Sequence, residues 1–455
     1  MNYIPNSKED IKKMLETVGV SSIDELFKPL PEEILLKENL KIPEGLSDQE
    51  IEDYFRKRAN ENLKSLKSIS FLGGGSYDHY VPAIVDYVSS MPQFYTAYTP
   101  YQPEVSQGTL QAIFEYQTLI CQLTGMDVTN ASMYDGATAF TEAVLMANRI
   151  RKGERVLLSP YINPFYIEVL KTYTKNYSIK LEFLERNESG KIDISELKEK
   201  LDKDVFCFAF QTPNFLGIVE DVEEISKIVK ENSKAILVQT FTEALSLALL
   251  TPPGENGVDI VAGEGQSFGL KLNYGGPYLG IFSTKNSYVR KMPGRIVGET
   301  VDEDGKRGFV LTLSTREQHI KREKATSNIC TNNGLCALMA TVYLLWAGRE
   351  GLRKIAERNV YLSHLFLEKL EERTPIKRKY DAPFFNEFVI TLPTKGEIFY
   401  RKCSERGLFS GIPLEWFFKD MENEMLITIT EKISEEDMDM GIKIFSEVLE
   451  ELKNG

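Results

Sequence analysis

Asp259-Ile260-Val261-Ala262-Gly263-Glu264-Gly265-Gln266-Ser267-Phe268-Gly269-Leu270-Lys271-Leu272-Asn273-Tyr274-Gly275-Gly276-Pro277 is the stretch on which the fold of this chain turns. Residues 259–262, Asp259 followed by an apolar run, read as a buried strand, and the small and polar residues after it read as a loop closing on the Gly275-Gly276-Pro277 turn. Enzymes that hold an aldehyde cofactor as an imine present a lysine from such a strand-end loop, with a glycine-rich turn that lets the backbone pass close by. The equivalent position here is Ser267. A hydroxyl forms no imine, so the frame implies a chain that does not hold such a cofactor covalently. Lys271 becomes the alternative imine former if the frame is slipped, and a self-sufficient decarboxylase would use it. Flanked by Leu270 and Leu272 in the run-up to the turn, it reads more readily as a solvent-facing or interface lysine.

Around this loop, residues 155–159, 179–185, 205–211, 235–240, 259–262 and 278–283 read as buried strands, with helical patterns at 165–173, 194–201 and 222–231 between several of them. Such alternation implies right-handed crossovers and a largely parallel sheet covered on both faces, an α/β domain over 66–325. Residues 1–65 are charged and helix-prone, strongest at 7–18 and 47–66 and interrupted by Pro31 and Pro43, and read as an N-terminal helical arm. After 326 the order changes. A long helical stretch from Gly334 towards Leu370 precedes strands at 385–392 and 425–430 and helices at 397–406 and 435–452, a smaller α+β C-terminal domain over 326–455.

The 455 residues are 42% hydrophobic and 27% charged, which supports a sizeable core and excludes disorder as the default. A net charge of -13 with no extended basic run argues against nucleic acid and anionic membrane as partners. No run approaches about 18 apolar residues, the start lacks a signal-peptide pattern, and a cytoplasmic protein is expected. Cys121, Cys207, Cys330, Cys336 and Cys403 show neither CxxC nor metal-ligand spacing, as suits a reducing compartment. His79, His319 and His364 are too few and too dispersed for a His-rich metal site, and His364 reads as a surface or half-buried helical residue.

Three further segments bear on chemistry. The loop at 94–104 carries Tyr95, Tyr98, Tyr101, Gln102 and two prolines just before a helix that opens near Ser106 and ends at Gly125. Aromatic rings on a stiffened loop either wall a ligand cleft or cement a subunit interface, and the two roles are compatible. The segment 130–139 leads into a helix over 140–149, and its small residues leave backbone N–H groups that either cradle a phosphate or need only an ordinary cap. In 316–330, Arg322, Thr326 and Ser327 are candidates to grip an anion, with an inter-subunit loop the alternative. A pyridoxal site also needs a carboxylate beside the pyridine nitrogen, normally at a strand end. Here the strand ends Val238-Gln239-Thr240-Phe241-Thr242, with no carboxylate until Glu243.

The segments AYTPYQPEVSQG (97–108), NASMYDGATAFTEA (130–143), GEGQSFG (263–269) with GGPYLG (275–280), GRIVGET (294–300) and REQHIKREKATSNIC (316–330) resemble the P-protein family of the glycine cleavage system. The resemblance runs essentially end to end and is narrowest to the subunit 1 (alpha) half of the two-polypeptide bacterial form. It implies a type I pyridoxal-phosphate-dependent transferase-like fold, with a mostly parallel large domain and a smaller α+β C-terminal domain. It implies glycine dehydrogenase (decarboxylating) activity, in which glycine loses its carboxylate as CO2 on pyridoxal phosphate and its aminomethyl group passes to the lipoyl arm of H-protein. In the family the cofactor lysine belongs to subunit 2 and follows a histidine. The matching pair here is Gln266-Ser267, so the resemblance carries over no catalytic lysine and no cofactor-binding residue. It places the cofactor on a lysine-bearing partner, in an α2β2 complex served by lipoylated H-protein. Tyr95, Tyr98, Tyr101, Gln102, Arg322, Thr326 and Ser327 are then the residues that shape the shared site. A non-enzymatic regulatory homologue is the remaining alternative.

Overall fold

The computed structural model describes residues 5–38, 40–66 and 68–454. Residues 1–4, Asn39, Lys67 and Gly455 lie outside the described residues, so the expected arm is followed from Pro5 and the expected C-terminal domain to Asn454. The chain divides into two units, Met1–Leu66 and Lys67–Gly455. In the first, Ser7 and Asp10 form a capping box that starts helix Lys8–Val18, and Gly19 ends it in a left-handed conformation. Ser47 and Glu50 exchange the same pair of bonds at the start of helix Asp48–Leu66. Helix Lys8–Val18 buries none of its residues, and Leu36 and Phe55 stand 79% and 65% exposed.

The second unit is built on a seven-stranded sheet of β1 (Val128–Thr129), β2 (Arg155–Leu158), β3 (Lys180–Phe183), β4 (Val205–Gln211), β5 (Ile236–Phe241), β6 (Ile260–Glu264) and β7 (Gly280–Thr284), in the order β1-β7-β6-β5-β4-β2-β3. Strands β2 to β6 pair in parallel, whereas β7 runs antiparallel to both β6 and β1. The reason is the Gly275-Gly276-Pro277 turn. It returns the chain from β6 to β7 with no helical crossover, and a direct return makes an antiparallel neighbour. Both faces are buried, as a parallel sheet requires. Phe208, Phe210, Leu237 and Val261 pack on one side, and Phe206, Val238, Ile260 and Ala262 on the other, against helix Gly136–Ile150. That helix starts earlier than its apolar pattern at 140–149 because Asp135 caps it, accepting the Thr138 N–H at 2.8 Å.

The expected continuous helix after Gly334 is broken. Helical hydrogen bonding runs over Gly334–Arg373, but Gly348 takes φ 59° and ψ -178°, a conformation reserved for glycine. Before the break, Ala340 and Tyr343 join the core of the large sheet. After it, Leu352 and Ala356 stay with that core, and Leu362, Phe366 and Leu370 join a second core built on the antiparallel strands Glu387–Thr391 and Glu424–Thr428. Phe71 belongs to that second core, and strand Ile69–Ser70 pairs with Leu408–Phe409. The antiparallel hairpin Ile296–Val301 with Arg307–Thr312 is not anticipated by the sequence pattern. Among the described residues no helix is long and apolar enough to cross a membrane, no three His, Cys, Asp or Glu are placed to hold a metal ion, and all five cysteines are free thiols.

Candidate active site

The carboxyl ends of β2, β4, β5 and β6 share one edge of the sheet, where open α/β folds bind ligands. Ser267 lies just past the end of β6, fully buried, its hydroxyl without a hydrogen-bond partner. Beside it, the Gln266 side-chain amide accepts from the Tyr77 N–H (2.9 Å) and donates to the carbonyls of Tyr77 (2.9 Å) and Leu270 (2.7 Å). The Tyr77 hydroxyl donates to Glu387 Oε2 (2.8 Å) and lies 3.0 Å from Thr242 Oγ1. At the β2 side, Asn163 Nδ2 donates to the Gly74 carbonyl (2.9 Å), while the Gly74 N–H donates to Glu387 Oε1 (2.7 Å). Residues 73–80 are thereby stitched across the strand ends. A Cβ on Gly75 would stand 2.9 Å from Asn163 Nδ2, so the close passage needs glycine.

His79 continues this segment into a buried charge triad. Its Nε2 is 2.9 Å from Glu243 and its Nδ1 2.7 Å from Glu431. Burial alone would lower the imidazole, but the two carboxylates override it and hold it at about 10. Burial would likewise raise Glu431, and the imidazolium instead brings it down to about 2. Glu243, the first carboxylate past the β5 strand end, is thus committed to His79 and to Asn386 Nδ2 (3.0 Å). A second buried acid, Glu264, accepts from the backbone N–H groups of Gly136 (2.8 Å), Gln266 (3.0 Å) and Leu279 (2.9 Å). Burial pushes its carboxyl up to about 8 against the pull of these amides.

A second group forms around Arg295, only 2% exposed. Its Nε donates to Glu317 (3.2 Å), its Nη1 to Thr99 Oγ1 (3.2 Å) and its Nη2 to Tyr101 Oη (2.9 Å), with the guanidinium 5.0 Å from the Tyr101 ring centre. The arginine lines a cavity of about 200 Å³ with Tyr95, Tyr98, Thr99 and Asn332. Asn333 Nδ2 donates to the carbonyls of Tyr134 and Tyr278, both at 2.8 Å, and ties this region to the segment before helix Gly136–Ile150.

The fold therefore brings Tyr95, Tyr98 and Tyr101 to one place. Tyr95 and Tyr98 are 67% and 84% exposed, and Gln102 is exposed on the same loop. Arg322, Thr326 and Ser327 are not drawn to one point by any hydrogen bond among the described residues. Thr326 Oγ1 donates to the Arg316 carbonyl (3.3 Å), Ser327 Oγ accepts from the Ile329 N–H (3.1 Å), and Arg322 is exposed at φ 53°. Lys271 is half-exposed, its Nζ 2.8 Å from Asp86 at the surface.

The glycine cleavage system P-protein model matches residues 1–445. The chain belongs to that family. It is 46% identical over 453 residues to the probable glycine dehydrogenase (decarboxylating) subunit 1 of Dictyoglomus turgidum, covering 99% of each chain. It is 47% identical over 441 residues to the protein of the same description from Solibacter usitatus, covering 96% of each. Among solved structures, glycine decarboxylase (P-protein) of the glycine cleavage system in inhibitor-bound form superposes with a TM-score of 0.90 at 42% identity, over 99% of this chain and 100% of that one. A NifS-like protein at 14% identity and TM-score 0.63, over 84% of this chain and 99% of that one, shares the fold.

Within this P-protein family the fold implies pyridoxal phosphate, and the residues of this chain do not fit it. Ser267 supplies no amine, the crevice over the strand ends holds residues 73–80, and Glu243 already pairs with His79. Sequence pattern alone does not single out Arg295, Glu317, Tyr77, His79 or Glu264. Arg295 and Glu317 sit inside the GRIVGET and REQHIK segments, yet Arg295 lies nearly 200 residues from Thr99 and Tyr101, and no local spacing joins them.

Proposed function

We propose that this chain is the subunit of glycine dehydrogenase (decarboxylating) that has no cofactor lysine of its own, and that it works in the cytoplasm with a lysine-bearing second polypeptide as an α2β2 complex. The observation that supports this is a buried Ser267 just past the end of β6, where the sequence reading expects the lysine. Pyridoxal phosphate, on the partner, supplies the electron sink that glycine decarboxylation requires. This chain's contribution is the wall of a shared site. Its loop at 95–104 projects exposed Tyr95, Tyr98 and Gln102 while Tyr101 anchors it to buried Arg295, so outward groups are fixed from behind. Exposed apolar side chains of the arm, Leu36 and Phe55 among them, are suited to cover by a second chain. The lipoyl arm of H-protein receives the aminomethyl group, and the free thiols are compatible with a reducing compartment.

The test is glycine–bicarbonate exchange by each polypeptide alone and by the two co-expressed. Activity is expected only from the pair. Exchange by this chain alone would overturn the reading.

A further inference from the structure

We infer that Glu264 and residues 73–80 are built-in occupants of the cofactor crevice: the Glu264 carboxyl accepts from the helix end that a phosphate would hold, and the Gly73–Tyr80 backbone and the Tyr77 ring fill the space beside it. The inference rests on the reading that the partner carries the cofactor, and it goes further, because it makes the missing lysine only one of three obstacles.

Three observations converge. The first turn of helix Gly136–Ile150 presents its backbone donors where an anion would bind, and two of them are already taken, Thr138 N–H by the capping Asp135 and Gly136 N–H by Glu264. The Gly136 N–H is used, and its acceptor is a fully buried carboxylate from the end of β6 rather than water. That carboxylate is itself fixed from two other directions by the amides of Gln266 and Leu279, so it is anchored to β6 and to the return strand at once. Tyr166 closes over the same spot: a Cβ on Gly136 would overlap its hydroxyl and would also crowd the Glu264 Cβ at 2.9 Å. On the other side of Gln266, Tyr77 is wholly buried with its backbone N–H, its carbonyl and its hydroxyl all bonded. A ligand entering here must break these bonds and displace the Glu264 carboxyl from the three amides that hold it.

Ser267→Lys therefore restores the amine without restoring the site. The full-length chain and the Ser267→Lys variant are to be incubated with pyridoxal phosphate, reduced with borohydride and mapped by peptide mass. No adduct at position 267 is expected in the variant. An adduct there would overturn the inference while leaving the assignment of the natural cofactor to the partner intact. Cofactor taken up by the unmodified chain would instead overturn that assignment. Because an added lysine at a buried position can unfold the chain, Glu264→Ala gives an independent readout. Inorganic phosphate, compared with chloride at equal ionic strength, is expected to raise the melting temperature of Glu264→Ala by about 2 °C or more and to leave the natural chain unchanged. An equal response in both, or none in the variant, would sink the idea.

Discussion

Tyr101 and Tyr98 share an exposed loop, but only the Tyr101 hydroxyl is bonded to a buried group, and this separates two kinds of mutational effect. The Tyr101 hydroxyl accepts from a guanidinium that is 2% exposed. Tyr101→Phe removes one acceptor from that guanidinium, and because the ring is 49% exposed water can take its place, so the cost should be about 1 kcal/mol of stability, read by denaturant unfolding. Tyr98, at 84% exposure, makes no such bond, so Tyr98→Phe should unfold normally. If its hydroxyl reaches the partner's substrate, exchange by the assembled complex falls roughly tenfold, about 1.4 kcal/mol. Unchanged exchange with normal assembly on gel filtration would reduce the loop to an interface element. Lys271→Ala, which removes a surface pair with Asp86, should leave exchange within about threefold. His79→Gln is the severe case, leaving two buried carboxylates without their cation at a cost of about 3–5 kcal/mol. Its pH dependence has a definite sign. The folded His79 titrates at about 10, above the ordinary 6.5, so its stabilisation is complete below pH 6.5 and lost as the pH rises through 10. Glu431, lowered from 4.5 to about 2, stabilises above pH 4.5 and loses this as the pH falls through 2. The gap in melting temperature between wild type and His79→Gln should be widest between pH 4.5 and 6.5 and shrink steadily towards pH 10. A gap that widens with rising pH would contradict the triad.

At the scale of elements, the break at Gly348 is a conformational requirement with open space around it. Nothing lies within 4 Å of an added Cβ, yet φ is 59°. Gly348→Ala should therefore cost about 1–3 kcal/mol through backbone strain alone, measurable as a lowered unfolding midpoint with an unchanged m-value. The sequence conceals this break because the apolar positions on both sides keep helical spacing: Tyr343 before it and Leu352 and Ala356 after it pack on the large-sheet core, and only from Leu362 does the helix serve the C-terminal one. Strands β2 to β7 of the large sheet are legible because each is a short β-rich run between turn signals. The direction of β7 is not, since periodicity carries no information about the sense of a neighbour. Ser267 is legible only as a residue type that forms no imine, at the place where the sequence frame expects a lysine. Tyr77, His79 and Glu264 are not, because their meaning lies in bonds spanning more than a hundred residues, such as Tyr77 to Gln266 and Gly136 to Glu264.

At the scale of the molecule, the crevice over the strand ends bears on how the chain answers to its surroundings. A protein completed by a dissolved ligand gains stability as the logarithm of ligand concentration over Kd, so its melting point drifts with supply. Residues 73–80 are covalently part of the chain they complete, and their local concentration is fixed by a tether that dilution and metabolism do not alter. With residues 73–80 in the crevice, as inferred, the folding equilibrium of this subunit is expected not to shift with cofactor supply. With the cofactor on the partner, as proposed, its scarcity acts on the assembly through that partner while this chain stays folded.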